Sequence, residues 1–155
     1  MLPNPLHPAV VHLPLGLAVM LPLFIFLVMI GIGKQWFNHA TWVLVVILQL
    51  LCMVGGIVSI ETGEDQEEIV GTVVKEEFIS KHEDMAKAFT ASAGVTFGVA
   101  LVGFFLRNRQ RAFSMLSLAT FFLSLVTLGV AGLTGHTGGE LVYKQGAASA
   151  YHASP

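Results

Sequence analysis

Four stretches of this chain carry no Lys, Arg, Asp or Glu: residues 10–33, 40–60, 88–106 and 112–135. Each is close to the ~20 residues that cross a ~30 Å hydrocarbon core. Only 12% of the whole chain is charged and mean hydropathy is +0.74, whereas a soluble domain would carry about a quarter charged residues. None of the stretches shows the polar face that a soluble helix needs. The expected fold is therefore an all-α membrane protein of one domain, residues 1–155. Four transmembrane helices would form an up-down bundle with both termini on one side.

Charge placement orients that bundle. The short turns near 33–39 and 107–111 hold Lys34, Arg107, Arg109 and Arg111 and no acidic residue. All 10 acidic residues fall on the other side, with Lys75, Lys81, Lys87 and Lys144. Short basic loops stay cytoplasmic, and Trp36 and Trp42 flank the first basic turn as an interfacial aromatic belt would. The termini and the 61–87 loop are thus expected outside: in a bacterial inner (plasma) membrane they face the periplasm or exterior. The first ten residues hold no basic n-region, so no cleaved signal is expected. Within the outer loop, Ile69, Val70, Val73, Val74 and Phe78 are spaced for a short amphipathic helix. Ser80 and Glu83 read as a capping box that starts the third spanning helix.

Histidines supply the chemistry. His12 sits at the head of the first span, His82 at the head of the third and His136 at the tail of the fourth. Up-down topology brings the three to one membrane level, with Glu61 or Asp65 near the end of the second span as partners for a ring nitrogen. Each has a small residue four positions toward the membrane: Gly16, Ala86 and Gly132. Residues four apart share a helix face. His82, Ala86, Thr90, Gly94 and Gly98 continue as a small-residue ridge, whereas Ser117, Thr120, Ser124, Thr127, Ala131 and Thr134 form a second stripe pointing elsewhere. Such ridges ordinarily serve helix packing. Three converging imidazoles also suit a metal or a haem iron, because ionisable groups at membrane depth are costly and tend to be functional.

The expected function is that of a b-type haem electron-transfer protein or respiratory-complex subunit. Its cofactor, haem b, would be held by His12, His82 and His136, with His7 folding over the site and Tyr143 donating to a propionate or a quinone oxygen. The alternatives are a non-haem copper, zinc or iron site on the same three histidines, and a cofactor-free accessory subunit whose small ridges meet partner helices. Lone Cys52 excludes an internal disulfide and covalent haem attachment through C-x-x-C-H. No nucleophile–base pair, phosphate-cradling loop or basic patch is present, so neither an enzyme nor a nucleic-acid-binding protein is expected.

Two end signatures, "HPAVVHLPLGL" at 7–17 and "GHTGGELVYKQGA" at 135–147, resemble those of a bacterial membrane family catalogued as domain-of-unknown-function family 2231. Thr62, Gly63 and Asp65, and a histidine opening the third helix, also resemble it. The likeness covers nearly the whole chain. It implies a four-helix protein whose company is c-type cytochrome or Rieske-type modules, a redox setting in which a c-type cytochrome, other redox-complex subunits and quinone are the implied partners beside the lipid bilayer. It implies His7, His12, His82 and His136 as functional histidines and leaves His39 and His152 without a motif. The topology is checked with reporter fusions: alkaline phosphatase joined after Lys144 is expected to be active, and joined at Arg109 inactive.

Overall fold

A computed structural model describes residues 5–151. These residues form five helices and two short 3-10 turns, and no strand occurs among them. Helix α1 (His7–Val10) is a single turn, broken at Val11 from α2 (His12–Gly33); together they make the first span. Pro8 sits in the first turn of α1, where a missing N–H costs nothing. Pro14 and Pro22 both lie within α2 and are buried. Pro22 leaves the Ala18 carbonyl without its usual donor, a loss that neighbouring helices make tolerable in membrane proteins.

The second span is α3 (Val43–Val70), preceded by a 3-10 turn over His39–Trp42 whose first free N–H is capped by Asn38. Helices α4 (Glu76–Phe105) and α5 (Gln110–Tyr143) complete the set. All four spans are long and apolar enough to cross a membrane. Consecutive spans pack side by side and the last returns to the first, so α2, α3, α4 and α5 stand at the corners of a square. Spans one and three are diagonal, as are two and four.

Two boundaries differ from the sequence expectation. The separate amphipathic helix in the 61–87 loop is absent, because α3 runs on to Val70 and α4 begins at Glu76. Glu- and Gln-rich residues 61–68 are good helix formers, and the break falls at Gly71–Lys75 instead. Nor does Ser80 start α4; Lys75 is its N-cap and Glu76 and Glu77 occupy the first turn, where carboxylates suit the helix dipole. Helix α5 runs on through Gly138 and Gly139 to Tyr143. The chain reverses at Gly146, whose φ of 75° favours glycine, and closes with a 3-10 turn over Ala147–Tyr151. At 28 residues α3 is ~42 Å long by the 1.5 Å rise. Its last turns therefore project beyond a ~30 Å core.

The stripe expected to point elsewhere is the interior of the bundle. Ser117, Thr120, Ser124, Thr127, Ala131 and Thr134 are all buried, whereas Gly129 and Gly132 are exposed. Lipid is as apolar as Leu, so small residues that allow close approach decide which face turns inward. The buried hydroxyls do not stay unpaired. Thr120 donates to Leu116 O at 2.8 Å, Thr127 to Leu123 O at 3.0 Å, and Thr96 and Thr127 meet across α4 and α5 at 3.2 Å. Apolar side chains fill the remaining space: Ile25, Trp42, Val45 and Ala100 are fully buried, and Trp42 Nε1–H donates to Ala100 O at 3.0 Å.

Among the glycines met by a side chain of a neighbouring span, Gly56 on α3 is the tightest, against α4. A Cβ added at Gly56 would lie 2.6 Å from Thr90 Oγ1, whereas one added at Gly129 meets nothing within 4 Å. Gly56→Leu is expected to cost about 1–3 kcal/mol as overpacking and to lower the thermal midpoint in detergent. Gly129→Leu, measured in parallel, should leave it unchanged.

Candidate functional site

Two histidines meet across the mouth of the bundle, and they are His7 and His82. They come from diagonally opposed spans, the outer turn of α1 and the second turn of α4. Their ring centroids are 6.2 Å apart and their planes nearly perpendicular, at 86°. Both line a cavity of about 740 Å³ at the end of the bundle. Its walls are mainly apolar, with Ile60, Val70, Ile79, Ala86 and Leu141 among them, while Glu64, Glu67 and Glu83 also face it.

The hydrogen bonds around each ring fix its tautomer. His7 Nδ1 lies 2.9 Å from the Ser59 carbonyl, which can only accept, so Nδ1 carries the proton. Thr62 Oγ1 is 3.4 Å from the same nitrogen and gives its own proton to Val58 O or Ser59 O. On the other side, His82 Nδ1 lies 2.9 Å from Thr137 Oγ1, which itself donates to Thr134 O at 3.0 Å. That hydroxyl has spent its proton, so His82 Nδ1 is again the donor. In the neutral form each ring therefore presents Nε2 as a bare lone pair, and neither Nε2 has a hydrogen-bond partner among the described residues. Two imidazoles anchored through Nδ1 with Nε2 available is the arrangement that metal-ligating histidines commonly adopt.

Glycines make room for both rings. A Cβ at Gly63 would come 3.2 Å from His7 Cε1, and one at Gly138 would come 3.0 Å from His82 Cε1. Each glycine follows the threonine that faces the same imidazole.

The three-histidine site anticipated from the sequence does not form. His12 is exposed and does not line the cavity. Five residues separate it from His7, which is roughly 140° around a helix of 3.6 residues per turn; with His7 turned inward, His12 points away. His136 is also exposed, on the face of α5 next to the one Thr137 presents to the bundle, and its Nε2 is 3.8 Å from Glu140 Oε1. Glu140 gathers Lys81 at 3.6 Å and Lys144 at 2.8 Å as well, a charge cluster beside the mouth. No group of three or more His, Cys, Asp or Glu side chains suited to a metal occurs among the described residues. Gly16 and Gly132 are exposed with open space around them and so do not line a ligand slot. Glu61 and Asp65 are likewise exposed and face no imidazole. Tyr143 borders the cavity while 89% exposed. His152 lies outside the described residues.

Ser59, Thr137 and Gly138 were not singled out from the sequence as supports for an imidazole. A signal existed: a threonine–glycine pair follows each of the two site histidines at the same separation, 55 residues from histidine to threonine.

The C-terminal 3-10 turn covers one flank of the cavity through Ala147, Ala148 and Tyr151. Tyr151 Oη–H donates to Gln66 Oε1 at 2.6 Å, and burial pushes its phenol pKa upward. Tyr151→Phe removes this tie. Amide exchange in residues 147–151 is expected to accelerate several-fold in the variant, measured by hydrogen–deuterium exchange, with the helices unaffected.

No curated protein and no solved structure matches the chain. A family model described as "Predicted membrane protein (DUF2231)" matches residues 3–150. The four apolar spans and the end signatures that build the mouth all fall inside that match, and the chain belongs to this family.

Proposed function

We propose that the protein holds a haem-type iron centre between His7 and His82 and passes single electrons at the extracytoplasmic face of a bacterial membrane. The observation that carries this reading is the pair of imidazoles, each with Nδ1–H tied to the protein and Nε2 free, 6.2 Å apart at the wall of an apolar cavity. A cavity of about 740 Å³ falls within the ~300–1,000 Å³ of ordinary cofactor sites. Two histidines alone underfill a metal's coordination shell, so a bound centre would have to bring further donors of its own. When bound, such a group supplies a one-electron couple. His7 and His82 would hold it, oriented by Ser59 and Thr137, with Ile60, Ile79 and Leu141 as an apolar lining. A quinone is less well served, because a bare Nε2 cannot donate to its carbonyl.

A second reading rests on Glu64, Glu67 and Glu83, which face the same cavity. Carboxylates oppose haem propionates and favour a free copper, zinc or iron cation. A cofactor-free accessory subunit is the third.

Full-length protein purified with haem supplied during expression distinguishes them. The haem reading expects a Soret band and a reduced-minus-oxidised α-band. Both should be lost in His7→Ala and in His82→Ala, and kept in His12→Ala and His136→Ala. Absence of a Soret band in either redox state overturns it. Stoichiometric metal without that band supports the cation reading, and neither signal supports the accessory subunit.

A further inference from the structure

We infer that the chain is a tandem duplication of one helical hairpin, and that the mouth is a site with two-fold symmetry. The bound group then lies on the pseudo-two-fold axis and takes one imidazole and one threonine–glycine support from each half. This deepens the functional reading above in its geometry, but the duplication stands without any cofactor.

A single shift along the chain that carries His7 onto His82 also carries Thr62–Gly63 onto Thr137–Gly138. The histidine and the threonine of each half approach through the same atoms, Nδ1 and Oγ1, across the same 55 residues. The two glycines meet Cε1 of their own ring at 3.2 and 3.0 Å. The same shift carries Ser59 onto Thr134, and both hydroxyls bond back one turn, to Gly55 O at 2.8 Å and Val130 O at 3.0 Å. Thr62 and Thr137 each also lie within hydrogen-bond reach of the carbonyl three residues earlier, Ser59 O at 3.2 Å and Thr134 O at 3.0 Å.

Burial follows the same rule down the bundle. On the first and third spans, Pro14, Ala18, Leu21, Ile25 and Val28 are buried, and their images are Phe89, Ala93, Thr96, Ala100 and Gly103, every buried residue of α4. On the second and fourth, Trp42, Val45, Gln49, Cys52, Gly56 and Ser59 map onto the buried stripe from Ser117 to Thr134. Few side chains are identical between the halves; what repeats is which positions face inward and what the histidine touches. A membrane helix is free to change any interior side chain that preserves the close approach, so register outlasts identity.

The geometry fixes the axis. Both hairpins begin at the histidine end, and the shift exchanges diagonal corners of the square: span one with three and two with four. A rotation that does this runs along the bundle centre, parallel to the helices. His7 and His82 meet on it. A group bound there is either a single ion or a molecule whose two faces are presented to equivalent nitrogens. Thr62 and Thr137 occupy equivalent places beside Nδ1, at 3.4 and 2.9 Å, while the Ser59 carbonyl takes the His7 proton at 2.9 Å.

Spin-label distances test the symmetry directly in the full chain. The shift carries His12 onto Lys87 and Glu61 onto His136, and all four are exposed. Two double variants are made in a Cys52→Ser background: His12→Cys with His136→Cys, and Glu61→Cys with Lys87→Cys. A two-fold axis requires the two interspin distances to coincide, and a difference beyond the reach of the label overturns the duplication. Nitrogen-15 spectra of histidine-labelled, cofactor-free protein test the site. Two imidazoles should be locked with Nδ1 protonated, one lost in His7→Gln and the other in His82→Gln. Thr137→Val should loosen the His82 tautomer and leave His7, held by the Ser59 carbonyl, alone. Rings at 7 and 82 that hold opposite tautomers overturn the equivalence. Matching distances and tautomers with no Soret band would retain the symmetric site and discard haem.

Discussion

Close approach of four helices along a seam of small and hydroxylated residues is the constraint on which this structure rests. The outside of the bundle is as apolar as its inside: Leu23, Val95, Phe105, Met115 and Phe122 are exposed. Hydrophobicity therefore cannot tell a helix which face to turn inward. Shape does so instead, through Gly56 against Thr90, and through the Ser and Thr residues of α5. Their hydroxyls bond to carbonyls of their own helix, which leaves smooth surfaces and no stranded donors. Each such bond contributes modestly, but an unpaired hydroxyl in hydrocarbon would cost more.

That seam also sets the mouth. Ser59 and Thr137 are its last buried members on α3 and α5, and the imidazoles bond to them directly. The packing stripe and the histidine cradle are one continuous device. Interior Gln49 is the exception, because both its amide atoms are buried without a protein partner. Its image in the other half, Ser124, is satisfied within its own helix.

Charge-free segments are among the most legible patterns a sequence offers, and the four spans follow directly from them. His82 and the end signatures were legible too, as was the meeting of spans one, three and four at one end. Helical phase was not. Pro8 and Pro14 both suit a helix's first turn, so the prolines alone do not set where the first helix starts. With α1 beginning at His7, the inward residue is His7 and His12 is lost to the outside. In α5 the Ser/Thr stripe looked peripheral because polar faces of soluble helices point to water; in lipid the rule inverts. Gly138 lies inside α5, where glycine is ordinary in a membrane helix, and it admits the His82 ring.

The flank over Ala147–Tyr151 bears on how a guest is kept. It rests on two buried alanines and one phenol–amide bond, whereas α3, α4 and α5 wall the cavity with long helices. A molecule held in the cavity would pack against Ala147 and Tyr151, so occupancy and docking of this short turn would reinforce each other.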